Sequence, residues 1–217
     1  MSIGKTIAID REGIRQAALA AGKDTAFDEA EAQFIERLRA QESEALDILI
    51  NRYSADLYAL LFRLVGNQYE AEDLLQETLI SAVRGIKSFR GESSLKTWLT
   101  RIAINHSRSR LRKIKRQILS TALSLTAFPE NDGQSIADRI EAAGENAEDA
   151  LLRQERETAV LKALEKLPDI YREAVVLCDI EGLSYEEIAI TLEINLGTVK
   201  SRISRGREEL RRQLKDF

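Results

Sequence analysis

Two prolines, one cysteine, one histidine and one tryptophan are all that 217 residues contain of these types, with eleven glycines. Each scarcity excludes something. A lone Cys178 cannot form an internal disulfide or a cysteine zinc cluster. A lone His106 argues against a histidine metal centre or a Ser-His-Asp triad. So little proline and glycine leaves too few turns for an all-β sandwich or barrel. Long apolar runs are missing as well. Arg63 interrupts the best stretch, Leu57 to Val65, so no segment is expected to span a bilayer. The N-terminus, MSIGKTIAIDREG, lacks a secretory apolar core. What remains is 44% hydrophobic and 31% charged, the composition of a helix-rich soluble chain with room for a core.

Charge is distributed unevenly around a net of −4. From Arg101 to Arg116 there are seven basic residues and no acid. From Glu130 to Asp149 seven acids face Arg139 alone, and from Lys200 to Lys215 seven basic residues face Glu208 and Glu209. Two basic patches flanking an acidic stretch suggest two polyanion-facing modules, although solvated helix faces would carry the same pattern.

Apolar spacing of three to four predicts helices throughout, and an all-α fold of two small bundles joined by a flexible linker. Residues 1–27 read as a mobile extension. Helical spacing begins with Phe27, Ala30, Phe34 and Leu38. A second helix starts near Ser43, with Ala45, Leu46, Leu49, Ile50 and Tyr53 on one face, and runs on to Val65. Gly66-Asn67 is a stop of the left-handed type. The next helix, about Glu70 to Ile86, turns Leu74, Leu75, Thr78, Leu79 and Val83 inward. It leaves Glu72, Asp73, Gln76 and Glu77 as an acidic patch. A loop, Phe89 to Ser94, precedes a helix to about Arg112 with Trp98, Leu99, Ile102 and Ala103 at core spacing. Residues 114–149 are poor in apolar residues and read as a linker, with a short helical piece near Ser135 to Ala142. Helices resume near Ala150, stop at Pro168, and run again from Tyr171 to Ile180.

Ser184-Tyr185-Glu186-Glu187 has capping-box spacing and opens a short helix with Ile188, Ala189 and Leu192 inward. A turn, Glu193-Ile194-Asn195, follows, with Asn195 suited to a left-handed backbone. A second helix starts near Gly197-Thr198 and buries Val199, Ile203, Gly206, Leu210 and Leu214. Ser201, Ser204 and Arg205 fall on the other side, with Thr198 and Lys200 flanking and Arg202 and Arg207 nearer the flanks. A short helix, tight turn and basic helix is the unit that enters a DNA major groove.

The span EGLSYEEIAITLEINLGTVKSRISRGREEL, Glu181 to Leu210, closely resembles region four of the bacterial sigma factors, nearest the extracytoplasmic-function group. RYSADLYALLFRLVGN, EAEDLLQET and FRGESSLKTWLTRIAINHSRSRL resemble region two of the same group. The likeness covers roughly residues 28–113 and 150–217. It implies a chain that binds core RNA polymerase, directs it to promoters and assists their melting, without an enzymatic activity or cofactor of its own. Asp73, Leu74, Gln76 and Glu77 would hold the polymerase clamp. Phe89, Arg90, Ser93, Trp98, Asn105 and Ser109 would serve the minus-10 element, the loop taking a flipped non-template base. Thr198, Lys200, Ser201, Arg202, Ser204 and Arg205 would serve the minus-35 element. Partners implied are core polymerase through clamp and flap, promoter DNA and an anti-sigma factor, all in the cytoplasm. Two rivals are weaker. A repressor or activator using the C-terminal unit alone leaves the N-terminal half unexplained. An enzyme acting on nucleic acid would need a nucleophile with a base, or a third metal ligand beside Asp73 and Glu77.

Overall fold

A computed structural model of the chain describes residues 25–122 and 147–215. The extension through residue 24, the short helix expected near 135–142 and the middle of the linker lie outside the described residues. Among the described residues every regular element is helical. In order these are α1 (Thr25–Arg39), α2 (Ser43–Val65), α3 (Gln68–Gly85), α4 (Leu95–Ala122), α5 (Ala147–Lys166), α6 (Asp169–Val175), α7 (Tyr185–Leu192) and α8 (Leu196–Gln213). A 3-10 turn, Ile86–Ser88, follows α3, and α6 widens into a π turn over Val176–Ile180.

α2 buries Ala45, Leu49, Tyr53, Leu57, Leu60, Leu61 and Leu64, mostly one turn apart. Ile50, expected on that face, is 41% exposed, since it lies 100° around from Leu49. Gly66 ends α2 at φ 72°, where only glycine is unstrained, and its N–H bonds to Phe62 O at 2.8 Å. Asn67 then opens α3 by accepting from the Glu70 N–H at 3.0 Å. α3 buries Ala71, Leu74, Thr78 and Ala82, and α4 buries Leu95, Leu99, Ala103 and Ile104. α4 does not end near Arg112. No glycine or proline interrupts it before Ala122, so the linker begins later than its composition suggests.

In the C-terminal half α6 and α8 cross at Gly206. A Cβ built there would lie 2.5 Å from Val175 Cγ2 and 3.3 Å from Tyr171 O. Gly206→Ala should therefore overpack this crossing and cost roughly 1–3 kcal/mol in urea unfolding. Wild-type stability in that variant would show that the crossing opens without penalty. The capping box of α7 is complete. Ser184 Oγ accepts from the Glu187 N–H at 3.2 Å, and Glu187 accepts from the Ser184 N–H at 2.9 Å. The turn after α7 corrects one expectation: Glu193, not Asn195, takes the left-handed conformation, at φ 55°. Asn195 is extended and caps α8.

The two bundles do not hang on the linker alone. Arg172 of α6 is 7% exposed and surrounded by carbonyls. Its Nε donates to Leu164 O at 2.8 Å, and its Nη2 donates to Glu165 O at 2.7 Å and Leu167 O at 3.0 Å. Its Nη1 crosses to Leu64 O, the C-terminal end of α2, at 2.6 Å. One guanidinium thus serves carbonyls at two helix ends, and Leu164 O also accepts from the Leu167 N–H at 3.1 Å. Burial lowers its pKa, opposed by the nearby Asp169 carboxylate.

Candidate nucleic-acid and polymerase interfaces

The recognition-type helix presents the side derived from its spacing. Val199, Ile203 and Gly206 are buried, whereas Lys200, Ser201, Ser204 and Arg205 are exposed and Thr198 and Arg202 half-buried. The Thr198 N–H and hydroxyl both donate to Asn195 Oδ1, at 2.8 and 2.9 Å, so Thr198 belongs to the cap. Ser201 Oγ donates to Thr198 O at 3.0 Å. Arg205 extends along the open side, with Nη1 at 3.4 Å from the Tyr171 hydroxyl.

Arg207 is not free for a phosphate. It pairs with Asp179 and reaches Cys178 Sγ at 3.5 Å. That hydrogen bond holds the Asp179 carboxyl below the usual carboxylate range and raises the Arg207 pKa further. Burial, reinforced by Asp179, pushes the Cys178 thiol up, away from a reactive thiolate. A depressed carboxyl stabilises the fold above its unfolded pKa and loses that contribution as pH falls through the folded value. Asp179→Asn should therefore lower the urea midpoint at pH 7, and its deficit should shrink as the pH falls below about 4. A deficit independent of pH would rule out the charge as its source.

On α3, Glu72, Asp73, Gln76 and Glu77 are exposed as expected. Leu74 is 0% exposed, so it fixes the helix in the core and cannot itself meet a partner. Glu77 is tied down by Arg110 of α4 at 2.9 Å, with His106 Nδ1 at 3.5 Å. Arg110 also bonds Glu70 and stands 3.8 Å from Asp73. This places Arg110 as a brace between α3 and α4 rather than a free cation for a DNA strand. His106 Nε2 meets Ser81 Oγ at 2.9 Å. Two residues missed by sequence reasoning widen the patch: Tyr69 is 75% and Ile80 50% exposed. The signal was present, since 69, 73, 76 and 80 follow one helical stripe.

Loop 89–94 has fixed ends and an open middle. Phe89 is 4% exposed, its ring centroid 5.1 Å from that of half-buried Trp98. Both rings pack against the bundle, so neither offers a free stacking face here. Arg90, Gly91, Glu92 and Ser93 are exposed, with Gly91 at φ 67°. On α4, Asn105 is exposed and Ser109 half-buried. The basic side of α4 meets the C-terminal bundle. Arg108 grips Glu173 with Nε at 2.9 and 3.0 Å and Nη2 at 2.6 Å, and its Nη1 reaches Leu192 O at 3.3 Å. Arg101 pairs with Glu193 at 2.9 Å and Lys115 with Asp169 at 2.5 Å. Glu181 lies 3.8 Å from Lys96 and 3.7 Å from Arg63, and burial raises its pKa despite them. Arg90 and Arg112 remain exposed.

Comparison with known proteins follows the same division. A family model described as Sigma-70 region 2 matches residues 49–117, and one described as Sigma-70, region 4 matches residues 157–210. The RNA polymerase sigma-H factor of Pseudomonas aeruginosa is 36% identical over 186 residues, 86% of this chain and 94% of that protein. The ECF RNA polymerase sigma factor SigW of Bacillus subtilis is 38% identical over 183 residues, 84% of this chain and 96% of that protein. Among solved structures, the sigma factor RpoE of Bartonella quintana, in complex with the anti-sigma factor NepR, superposes with a TM-score of 0.61. That pair is 31% identical and covers 78% of this chain and 96% of RpoE.

Proposed function

Since the chain belongs to the sigma-70 family of RNA polymerase sigma factors, in its extracytoplasmic-function group, we propose a division of its work among the surfaces described above. As a sigma factor it binds core polymerase and directs initiation at specific promoters. The patch Tyr69, Asp73, Gln76, Glu77 and Ile80 docks on the clamp. Loop 89–94 with Asn105 and Ser109 reads and opens the minus-10 element, and the outward side of α8 reads the minus-35 element. The protein acts by binding rather than catalysis, in the cytoplasm, and an anti-sigma factor is a partner. The complex of the Bartonella quintana relative supports that last assignment.

The observation that carries this reading is the pairing, on one chain, of an open basic recognition helix with a separate acidic and apolar patch on α3. The first suits duplex DNA and the second suits a protein. Arg101 and Arg108 can follow a single strand only when the C-terminal bundle moves off α4, so engagement with polymerase must separate the two bundles. Run-off transcription with purified core polymerase and a genomic promoter pool tests the function. Asp73→Arg combined with Gln76→Arg tests the docking surface and spares Glu77, which braces α4. Expected is a loss of core affinity of about ten-fold or more, the scale of reversing one charge and adding another at an interface. Wild-type core affinity in that variant would remove α3 from the interface.

A further inference from the structure

We infer that α1 is the mount for loop 89–94, with Glu31 and Arg39 as positioning residues that hold its two ends for capture of an unpaired promoter base. The inference rests on the minus-10 reading of that loop given above. It comes from two contacts that span long stretches of sequence and land at the two boundaries of the loop.

At the entry, the Arg39 guanidinium donates to the carbonyl of Phe89 while also pairing with Glu36 on its own helix. The Phe89 N–H is bonded to Ile86 O at 3.1 Å, and its ring lies against Trp98. Every polar and apolar group of Phe89 is therefore fixed. At the exit, the Leu95 N–H, the first of α4, donates to Glu31 Oε1 at 3.0 Å. Ser94 Oγ accepts from the Thr97 N–H at 3.1 Å, so α4 carries a local cap and a distant one. A carboxylate at this place also suits the positive end of the helix dipole.

Between these anchors the tip is bare. A Cβ on Gly91 would meet nothing within 4 Å, and Arg90, Glu92 and Ser93 are exposed. Fixed ends with an open tip are what base capture needs. The pocket must stand at a set place, held to about half an ångström, while its lining stays unobstructed. α1 can act as a mount because it is itself anchored, with Leu38 1% exposed and Phe34 and Ile35 packed on the core. Neither Glu31 nor Arg39 touches the tip, so they act through the loop and not on the base.

The test uses holoenzyme assembled from core polymerase and the full chain. The probe is a promoter fragment selected by the wild-type holoenzyme from a randomised pool, carrying either the cognate base or an abasic site at each non-template minus-10 position. The readout is the affinity ratio of cognate to abasic, which a general loss of stability does not alter. Glu31→Ala and Arg39→Met should lower the ratio at one position by about five-fold or more, the low end of a lost base contact. Glu31→Gln keeps an acceptor for Leu95 and should restore most of it. If Arg39→Met fails to assemble, Arg39→Lys decides. A lysine lacks the planar fork that reaches Glu36 and Phe89 O from two nitrogens, so its ratio should also fall. Wild-type ratios in the Glu31→Ala and Arg39→Lys variants, with a reduced ratio in Arg90→Ala combined with Ser93→Ala, would overturn the mount and leave the loop reading intact. An unchanged ratio in the tip variant as well would overturn both.

Discussion

Arg172→Met should cost about 3 kcal/mol or more in urea unfolding, as expected when buried carbonyls lose their only side-chain donor. The guanidinium serves four carbonyls, those of Leu164, Glu165, Leu167 and Leu64. Methionine fills much of the volume and none of the hydrogen bonds, and each buried carbonyl left bare carries its own desolvation penalty. Arg172→Lys should recover little, because one ammonium cannot point in four directions set by a planar fork. The bond to Leu64 O also joins the two bundles. The loss should be read by circular dichroism and by the single tryptophan, Trp98, in the N-terminal bundle. A loss below about 1 kcal/mol would mean that water replaces the guanidinium at these carbonyls.

Arg205→Ala should reduce minus-35-dependent transcription by roughly ten-fold or more, since a lost bidentate base contact is worth about 1–3 kcal/mol. Arg205 is exposed, on the side opposite Val199 and Ile203, and approaches the Tyr171 hydroxyl only at 3.4 Å. Little folding free energy is lost with it, so the effect should fall on DNA reading alone. Tyr171→Phe serves as the control and should transcribe like wild type. A library of minus-35 variants separates the roles. Base reading predicts relaxed selectivity at one position, whereas a backbone contact lowers every variant alike. Arg207→Ala should behave differently again. It breaks the pair with Asp179 and so lowers stability without changing selectivity.

Local rules make much of this legible in the sequence. The Ser184–Glu187 capping box, the Gly66 stop and the burial of Val199 and Ile203 follow from spacings of three and four, which a short stretch of chain decides by itself. What escaped was decided by distant residues. Arg172 in an apolar helix looks like a surface cation until two helix ends bring their carbonyls to it. Arg101, Arg108 and Arg110 look alike in a basic run, yet each pairs with a different acid far away in sequence. Leu74 sits inside the very motif that marks α3 as an interface, and burial there is its contribution. Glu193 rather than Asn195 takes the left-handed conformation because the N-cap of α8 needs a side-chain acceptor, which Asn195 supplies. Glu31 gave no signal, since its partner lies 64 residues further on.

The grip of Glu173 on Arg108 and of Glu193 on Arg101 has a consequence for ionic strength. A free arginine that meets a single strand releases about 0.7 of a counterion per phosphate, which makes affinity fall steeply with salt. These two arginines begin already neutralised. Each exchanges a carboxylate for a phosphate, and the carboxylate it leaves gathers cations from solution. Counterions shed by the DNA are thus partly taken up by the protein. Strand binding should then weaken with added salt less steeply than the number of arginines along α4 would suggest. Replacing Glu173 with glutamine should steepen that dependence, because the released side chain would no longer attract cations.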